Sequence, residues 1–184
     1  MKPIFTIHAG EYLVGSEIEN QFKNARVWVP SKDTGIDLLV TNNACKSPIS
    51  LQVKFSKDFF STRKKTQATE NLKSGGWWQF NKDKIKNSPA DYWVLVLYQF
   101  QSRQHDFIII KPFKLIEMYN TISRSKLKIQ SYIWVTDHKI PQCWETRGLN
   151  KLDQIKISKG RFVSKSRNLT PYLNNWSCIE ELNN

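Results

Sequence analysis

Two short stretches of the chain alternate between apolar and polar positions with the period of a β-strand. Residues 36–41 (IDLLVT) and 49–55 (ISLQVKF) are separated by a polar segment that begins at Asn42-Asn43. Successive side chains of a strand point to opposite faces. The pattern therefore predicts two strands joined by a turn, each with one apolar face.

Other hydrophobic patterns predict helices and strands around this pair. Residues 8–24 match a helix, because Val14, Ile18 and Phe22 recur at the spacing of one helical face. The run 92–100 (YWVLVLYQF) is continuously apolar, as expected of a central strand covered on both faces. The other predicted elements are strands at 27–29, 107–110 and 132–136, helices at 77–86 and 112–118, a loop or mobile helix-containing segment at 56–76, and a short C-terminal helix opened by Thr170-Pro171.

This order of elements predicts an α/β fold in which helices pack on a central mixed sheet of four or five strands. The chain has 184 residues, of which 40% are hydrophobic, so it can bury a core and is not expected to be disordered. We expect a single domain over residues 1–184. Its core would span 8–118, and 119–184 would form a C-terminal extension packed on that core.

Charge narrows the choice of partner. The chain has 28 Lys and Arg against 16 Asp and Glu, giving a formal net charge of +12. Such an excess favours a polyanionic partner, with nucleic acid first and an anionic membrane surface second. A generally basic protein without nucleic-acid chemistry is the alternative. We expect no membrane span, because no run of 18 apolar residues occurs.

The start of the chain does not match a signal peptide. The three cysteines, Cys45, Cys143 and Cys178, are far apart and form no CxxC pair. We interpret them as reduced structural thiols, which is typical of a cytoplasmic protein.

The polar residues of the two alternating strands are expected to gather in one place. If the apolar residues of both strands share one face of the sheet, Asp37, Gln52 and Lys54 share the other. A carboxylate and an amide oxygen can ligate a hard cation such as Mg²⁺. A neighbouring lysine can stabilise developing negative charge or orient an attacking water.

The first helix offers a fourth polar group. At about 100° per residue, Glu11 falls within the arc of the apolar face of this helix, while Glu17 falls outside it. A carboxylate that faces a sheet is costly unless it is paired or bound to a metal. Glu11 is therefore the preferred candidate and Glu17 the reserve.

Asp37, fourteen intervening residues and then Gln52-Val53-Lys54 resemble the bipartite signature of the PD-(D/E)XK nuclease superfamily. The preceding Gly10-Glu11 helix and the phrase KDTGID (32–37) resemble its N-terminal half. The proline of the motif is replaced by Ile36, and Gln52 stands where an acid is usual. The resemblance covers roughly residues 8–60 and, more loosely, the strand at 92–100.

The resemblance implies a restriction-endonuclease-like core and a Mg²⁺-dependent endonuclease acting on DNA, with Mn²⁺ as a substitute metal. Glu11, Asp37 and Gln52, with the carbonyl of Val53 as a further ligand, would hold the metal, and Lys54 would assist the attacking water. Double-strand cleavage would call for a homodimer. The alternative is a non-catalytic DNA-binding module whose site has degenerated through Gln52.

Two further features are consistent with nucleic-acid binding, and each has a structural alternative. Lys57, Arg63, Lys64 and Lys65 follow the second strand and either contact phosphates or form a solvated surface. Trp77 and Trp78 either stack on bases or pack in the core, and core packing is the commoner role.

Overall fold

The computed structural model describes residues 8–32, 34–57, 65–99, 102–123 and 127–183. Within these ranges the helices are α1 (Ala9–Gln21), α2 (Lys82–Lys86), α3 (Pro112–Ile122), α4 (Lys151–Ser158) and α5 (Ser177–Glu180). The strands are β1 (Ala25–Trp28), β2 (Leu38–Asn42), β3 (Ile49–Lys57), β4 (Leu72–Asn81), β5 (Tyr92–Gln99), β6 (Gln104–Ile110), β7 (Lys128–Thr136) and β8 (Cys143–Glu145). Three short 3-10 helices span Lys165–Arg167, Thr170–Tyr172 and Glu181–Asn183.

The larger sheet has five strands in the order β1-β2-β3-β5-β6. β3 and β5 are parallel, and the other neighbouring strands are antiparallel. The predicted α/β fold with a mixed sheet of four or five strands is therefore confirmed. Residues 92–99 of the continuous apolar run form β5, between β3 and β6, where both faces of the strand are buried, and Phe100 lies outside the described residues.

One face of this sheet packs against α1. Val14 and Ile18 of α1 are fully buried in a cluster with Leu38, Leu51 and Val53. The apolar residues of β2 and β3 thus share a face, as their alternation predicts. Ile36 is an exception, because it packs against the cluster on the other face of the sheet. β2 begins only at Leu38, after a turn in which Gly35 has φ +87°, so strand alternation does not reach Ile36.

A second sheet covers the other face, with the strand order β4-β7-β8. β4 corrects two predictions, since 77–86 was expected to be a helix and 72–76 part of a loop. Antiparallel pairing with β7 keeps the chain extended from Leu72 to Asn81 and buries Trp78 and Phe80 in the core. The helix starts only at Lys82, where the Asn81 side chain caps it by accepting from Asp83 and Lys84 N–H groups.

The C-terminal residues contribute to both cores. β7 pairs with β4, and Trp176, Cys178 and Ile179 lie in the cluster beneath α1. β8 and α4 are not indicated by the hydrophobic pattern, and Thr170-Pro171 opens a 3-10 turn rather than an α-helix. Cys143 and Cys178 are buried and Cys45 is exposed, all without disulfides. No helix in the described ranges is long and apolar enough to cross a membrane.

Candidate functional site

Asp37 lies where β2 and β3 begin to separate. Its N–H donates to the carbonyl of Leu51 at 2.8 Å, next to the pair Leu38–Leu51 at which the β2–β3 ladder ends. Its carboxylate Oδ2 then accepts from the N–H of Val53 at 2.7 Å. The side chain therefore replaces the next residue of β2 as the hydrogen-bond partner of β3, and this fixes the carboxylate beside the strand.

The same geometry orients the carbonyl of Val53. The N–H and C=O of a strand residue point to the same side of the strand. Since the N–H of Val53 points towards Asp37, its carbonyl also points to that side, beyond the start of β2. Two oxygen donors of the predicted metal site thus lie at one edge of β3.

Lys54 is held between this carboxylate and an aromatic ring. Its Nζ lies 4.0 Å from Oδ2 of Asp37, and its side chain is 34% exposed. The same Nζ is 5.6 Å from the centroid of the Trp93 ring. Asp37 and Lys54 are therefore neighbours, as the resemblance requires, and the ring adds a cation–π contact that orients the ammonium group.

Gln52 and Lys54 line one cavity of about 680 Å³ on the face of β3 opposite α1. Sequence reasoning missed Gln79 and Asn81 as lining residues because it placed a helix over 77–86, whereas β4 runs to Asn81. The alternation of WWQFN at 77–81, with Trp78 and Phe80 buried and the residues between them exposed, was the signal that could have found them. The polar side chains of the lining that were not predicted are Gln79, Asn81, Asp83, Lys84 and Asn87.

Glu11 occupies a different position. Its Oε2 accepts from the backbone N–H of His8 at 3.0 Å, so the carboxylate caps the N-terminus of α1. Gly10, next to it, packs against Val53 and Phe55, whose side chains leave β3 on the face opposite Gln52 and Lys54. Within the described ranges, Glu11 thus contacts the N-terminus of its own helix.

The predicted ligands are all oxygens, the donors that a hard cation prefers: a carboxylate from Asp37, an amide from Gln52 and the Val53 carbonyl. Gln52 lines the cavity, whereas Asp37 and Val53 are not among its lining residues. These three ligands supply one negative charge where the usual motif supplies more. The described part of the chain has no group of three or more His, Cys, Asp or Glu residues able to hold a metal ion. The arrangement therefore suits a weakly held Mg²⁺ better than a permanent metal centre.

The basic run after β3 is only partly described. Lys57 ends β3, and Arg63 and Lys64 lie outside the described residues. Lys65 is exposed, and its Nζ donates to the carbonyl of Glu70 at 3.3 Å. The predicted phosphate contacts of these four residues stay predictions.

Comparisons of the chain with protein-family models, curated proteins and solved structures found no match. The function must therefore be inferred from the geometry of the site and from the resemblance of its motif.

Proposed function

We propose that the protein is a Mg²⁺-dependent DNA endonuclease with a restriction-endonuclease-like or Holliday-junction-resolvase-like core. The observation that carries this proposal is the juxtaposition of Asp37 and Lys54, 4.0 Å apart, beside the cavity that Gln52 lines. The five-stranded mixed sheet with α1 on one face supports it, as does the net charge of +12.

The reaction proposed is hydrolysis of a phosphodiester. Water adds to phosphorus, one P–O ester bond breaks, and the products are a phosphomonoester and a hydroxyl group. A Mg²⁺ ion held by Asp37, Gln52 and the Val53 carbonyl would polarise the phosphate and acidify water. Lys54 orients the attacking water and balances the negative charge that builds up on the phosphoryl oxygens. Glu11 would join the site only by giving up its cap on α1.

Nicking of supercoiled plasmid in Mg²⁺ or Mn²⁺ tests the proposal. Lys54→Met should abolish nicking and leave folding intact, because the side chain is partly exposed. Lys114→Met is the matched control, since this exposed lysine of α3 pairs with Glu117 and does not line the candidate cavity. Equal nicking by the wild type and Lys54→Met would refute the role of Lys54 and the site built around it.

A second function is favoured by Gln52, which removes one charge from the predicted metal site. The protein would then be a DNA-binding module without catalytic activity. Absence of nicking with both metals, together with DNA binding that weakens as salt rises, would support this second function. A single site cuts one strand, so products cut on both strands would point to a homodimer.

A further inference from the structure

Among the residues that the structure describes, one half of the outer face of the second sheet is exposed to solvent. In β4, Trp78 and Phe80 point into the core, so Trp77 and Gln79 point outwards. Trp77 is 45% exposed although it is a large aromatic side chain. The register pairs Trp77 with Tyr132 and Gln79 with Gln130. We call this half of the outer face the platform; it carries Trp77, Gln79, Lys128, Gln130 and Tyr132.

The other half of the same face is covered by the chain itself. Trp134 and Trp144 are buried there against Ile157 of α4 and Phe162. The fold thus covers the aromatic residues at one end of the sheet and leaves Trp77 accessible at the other. An exposed tryptophan flanked by amides and cations is typical of a surface that binds another molecule.

Cations border the platform. The guanidinium carbon of Arg147 lies 5.0 Å from the centroid of the Tyr132 ring, so Trp77, Tyr132 and Arg147 form a row across β4 and β7. Lys128, Arg147 and Arg167 line a cavity of about 590 Å³ next to it. The acid of this lining, Glu145, is buried and paired with Arg167 at 2.6 Å. Lys128 and Arg147 therefore give this border of the platform a positive charge.

The platform adjoins the candidate site. Gln79 lines both this cavity and the cavity of Gln52 and Lys54. Asn81, two residues further along β4, also lines the candidate cavity. An extended polymer bound along the platform would therefore continue into the candidate cavity.

We propose that the platform binds unpaired nucleotides of a nucleic acid, with bases stacking on Trp77 and Tyr132 and phosphates lying near Lys128 and Arg147. Aromatic rings accept any base by its π face, while cations at the border bind the backbone. In a duplex the base faces are covered by their neighbours, so the platform selects a single strand or a frayed end. This inference specifies single-stranded nucleic acid as the substrate of the proposed nuclease. Binding to the platform does not require the nuclease function, whereas cleavage of the bound strand does.

Binding of a labelled DNA strand of about 12 nucleotides, a usual site size for single strands, tests the inference by fluorescence anisotropy. The strand is used alone and annealed to its complement, in EDTA so that nothing is cleaved. Trp77→Ser should weaken single-strand binding by about tenfold, the effect of one lost base stack, and change duplex binding much less. Trp77→Phe should retain most of the affinity, because it keeps a ring.

Trp28→Ser is the matched control, since Trp28 is 51% exposed on the edge strand β1 of the other sheet. It should leave both affinities unchanged. Arg147→Gln is a second variant that does not alter β4, and it should weaken single-strand binding and reduce its dependence on salt. Wild-type affinity in Trp77→Ser or in Arg147→Gln, or equal losses for single strand and duplex, would overturn the inference.

The two proposals can fail separately. A protein that nicks plasmid without binding that depends on Trp77 refutes the platform alone. A protein that binds single strands through Trp77 but cleaves neither form refutes the nuclease alone.

Discussion

The carboxylate of Asp37 has a structural role and a proposed chemical role, and two substitutions separate them. Asp37→Ala removes the acceptor for the N–H of Val53, a residue that is 8% exposed. A hydrogen bond to a charged group contributes about 1.5–3 kcal/mol, and the orphaned N–H has little access to water. The ion pair with Lys54 adds little, because that side chain is 34% exposed. We expect Asp37→Ala to lower the free energy of unfolding by about 2 kcal/mol.

Asp37→Asn keeps an oxygen that can accept from Val53 but loses the charge. It should therefore lower the free energy of unfolding by only about 1 kcal/mol or less, while abolishing plasmid nicking as completely as Asp37→Ala. Urea unfolding followed by tryptophan fluorescence gives the stabilities, and nicking in Mg²⁺ gives the activities. The two variants thus differ in stability but not in activity.

Asp91 provides the control, because its Oδ2 accepts from the N–H and the hydroxyl of Ser50 near the start of β3, whereas the carboxylate 4.0 Å from Lys54 is that of Asp37. Asp91→Ala should cost stability like Asp37→Ala and leave nicking intact once folded. Wild-type nicking by Asp37→Asn would show that the charge of Asp37 is not needed. Unchanged stability in Asp37→Ala would show that its contact with Val53 does not anchor the strand.

Three further predictions concern the fold around the platform. Arg167→Met leaves the buried Glu145 carboxylate without its ion pair, so it should lower the free energy of unfolding by about 3–5 kcal/mol near pH 8, measured by urea unfolding. Adding Glu145→Gln to this variant should reduce the loss, and an unchanged loss in the double variant would contradict the prediction. Burial raises the pKa of Glu145 from 4.5 to about 7 against the opposing effect of Arg167. Between these two pH values the folded protein retains a proton that the unfolded chain releases. The free energy of unfolding should therefore fall by about 3 kcal/mol from pH 4.5 to 7 and then level off, and Glu145→Gln should not show this fall. A free energy of unfolding that rises over this range would refute the raised pKa. A Cβ on Gly76 would meet the Trp78 indole, so Gly76→Ala should lower the free energy of unfolding by about 1–3 kcal/mol. Gly148→Ala should cost less, because its added Cβ meets no atom and only the positive φ is strained. A larger loss for Gly148→Ala would contradict the close approach of Gly76 and Trp78.

The residues around Asp37 were predictable because their pattern is local. Alternation in β2 and β3 is enough to bring Leu38, Leu51 and Val53 to one face, and the opposite face follows from it. Asp37 reaches the site differently, since it precedes β2 and is placed by hydrogen bonds to β3. Its proximity to Lys54 followed from the motif, while the backbone contact that creates it was not visible in the sequence.

The partners of β4 could not be read from its own residues. Its extended conformation depends on pairing with β7, about fifty residues further along the chain. WWQFN followed by KDKIK contains apolar residues at spacings that suit either a helix or a strand, and only the distant partner decides between them. Gln79 and Asn81 of the cavity, together with the β4 part of the platform, were missed with that one element.

Glu11 shows a limit of the helical-face argument. The apolar arc predicts the direction in which Glu11 leaves α1 but not its partner, which is the backbone N–H of the N-cap residue His8. A carboxylate in a first turn is already stabilised by the helix end, so burial alone does not mark it as a metal ligand.

The charge of the candidate cavity bears on how a metal would bind. Its lining includes two lysines, Lys54 and Lys84, against one acid, Asp83, and it has an amide at Gln52. This balance attracts phosphate more than it attracts a free cation. Mg²⁺ is commonly bound by one or two carboxylates together with substrate phosphates, which would supply the charge that Gln52 does not. We therefore expect the protein and DNA to hold the metal jointly, so that Mn²⁺ titrated into the free protein binds weakly and binds more tightly when DNA is present. An equal affinity with and without DNA would mean that the protein alone provides the metal site, and the amide at position 52 would then carry no penalty.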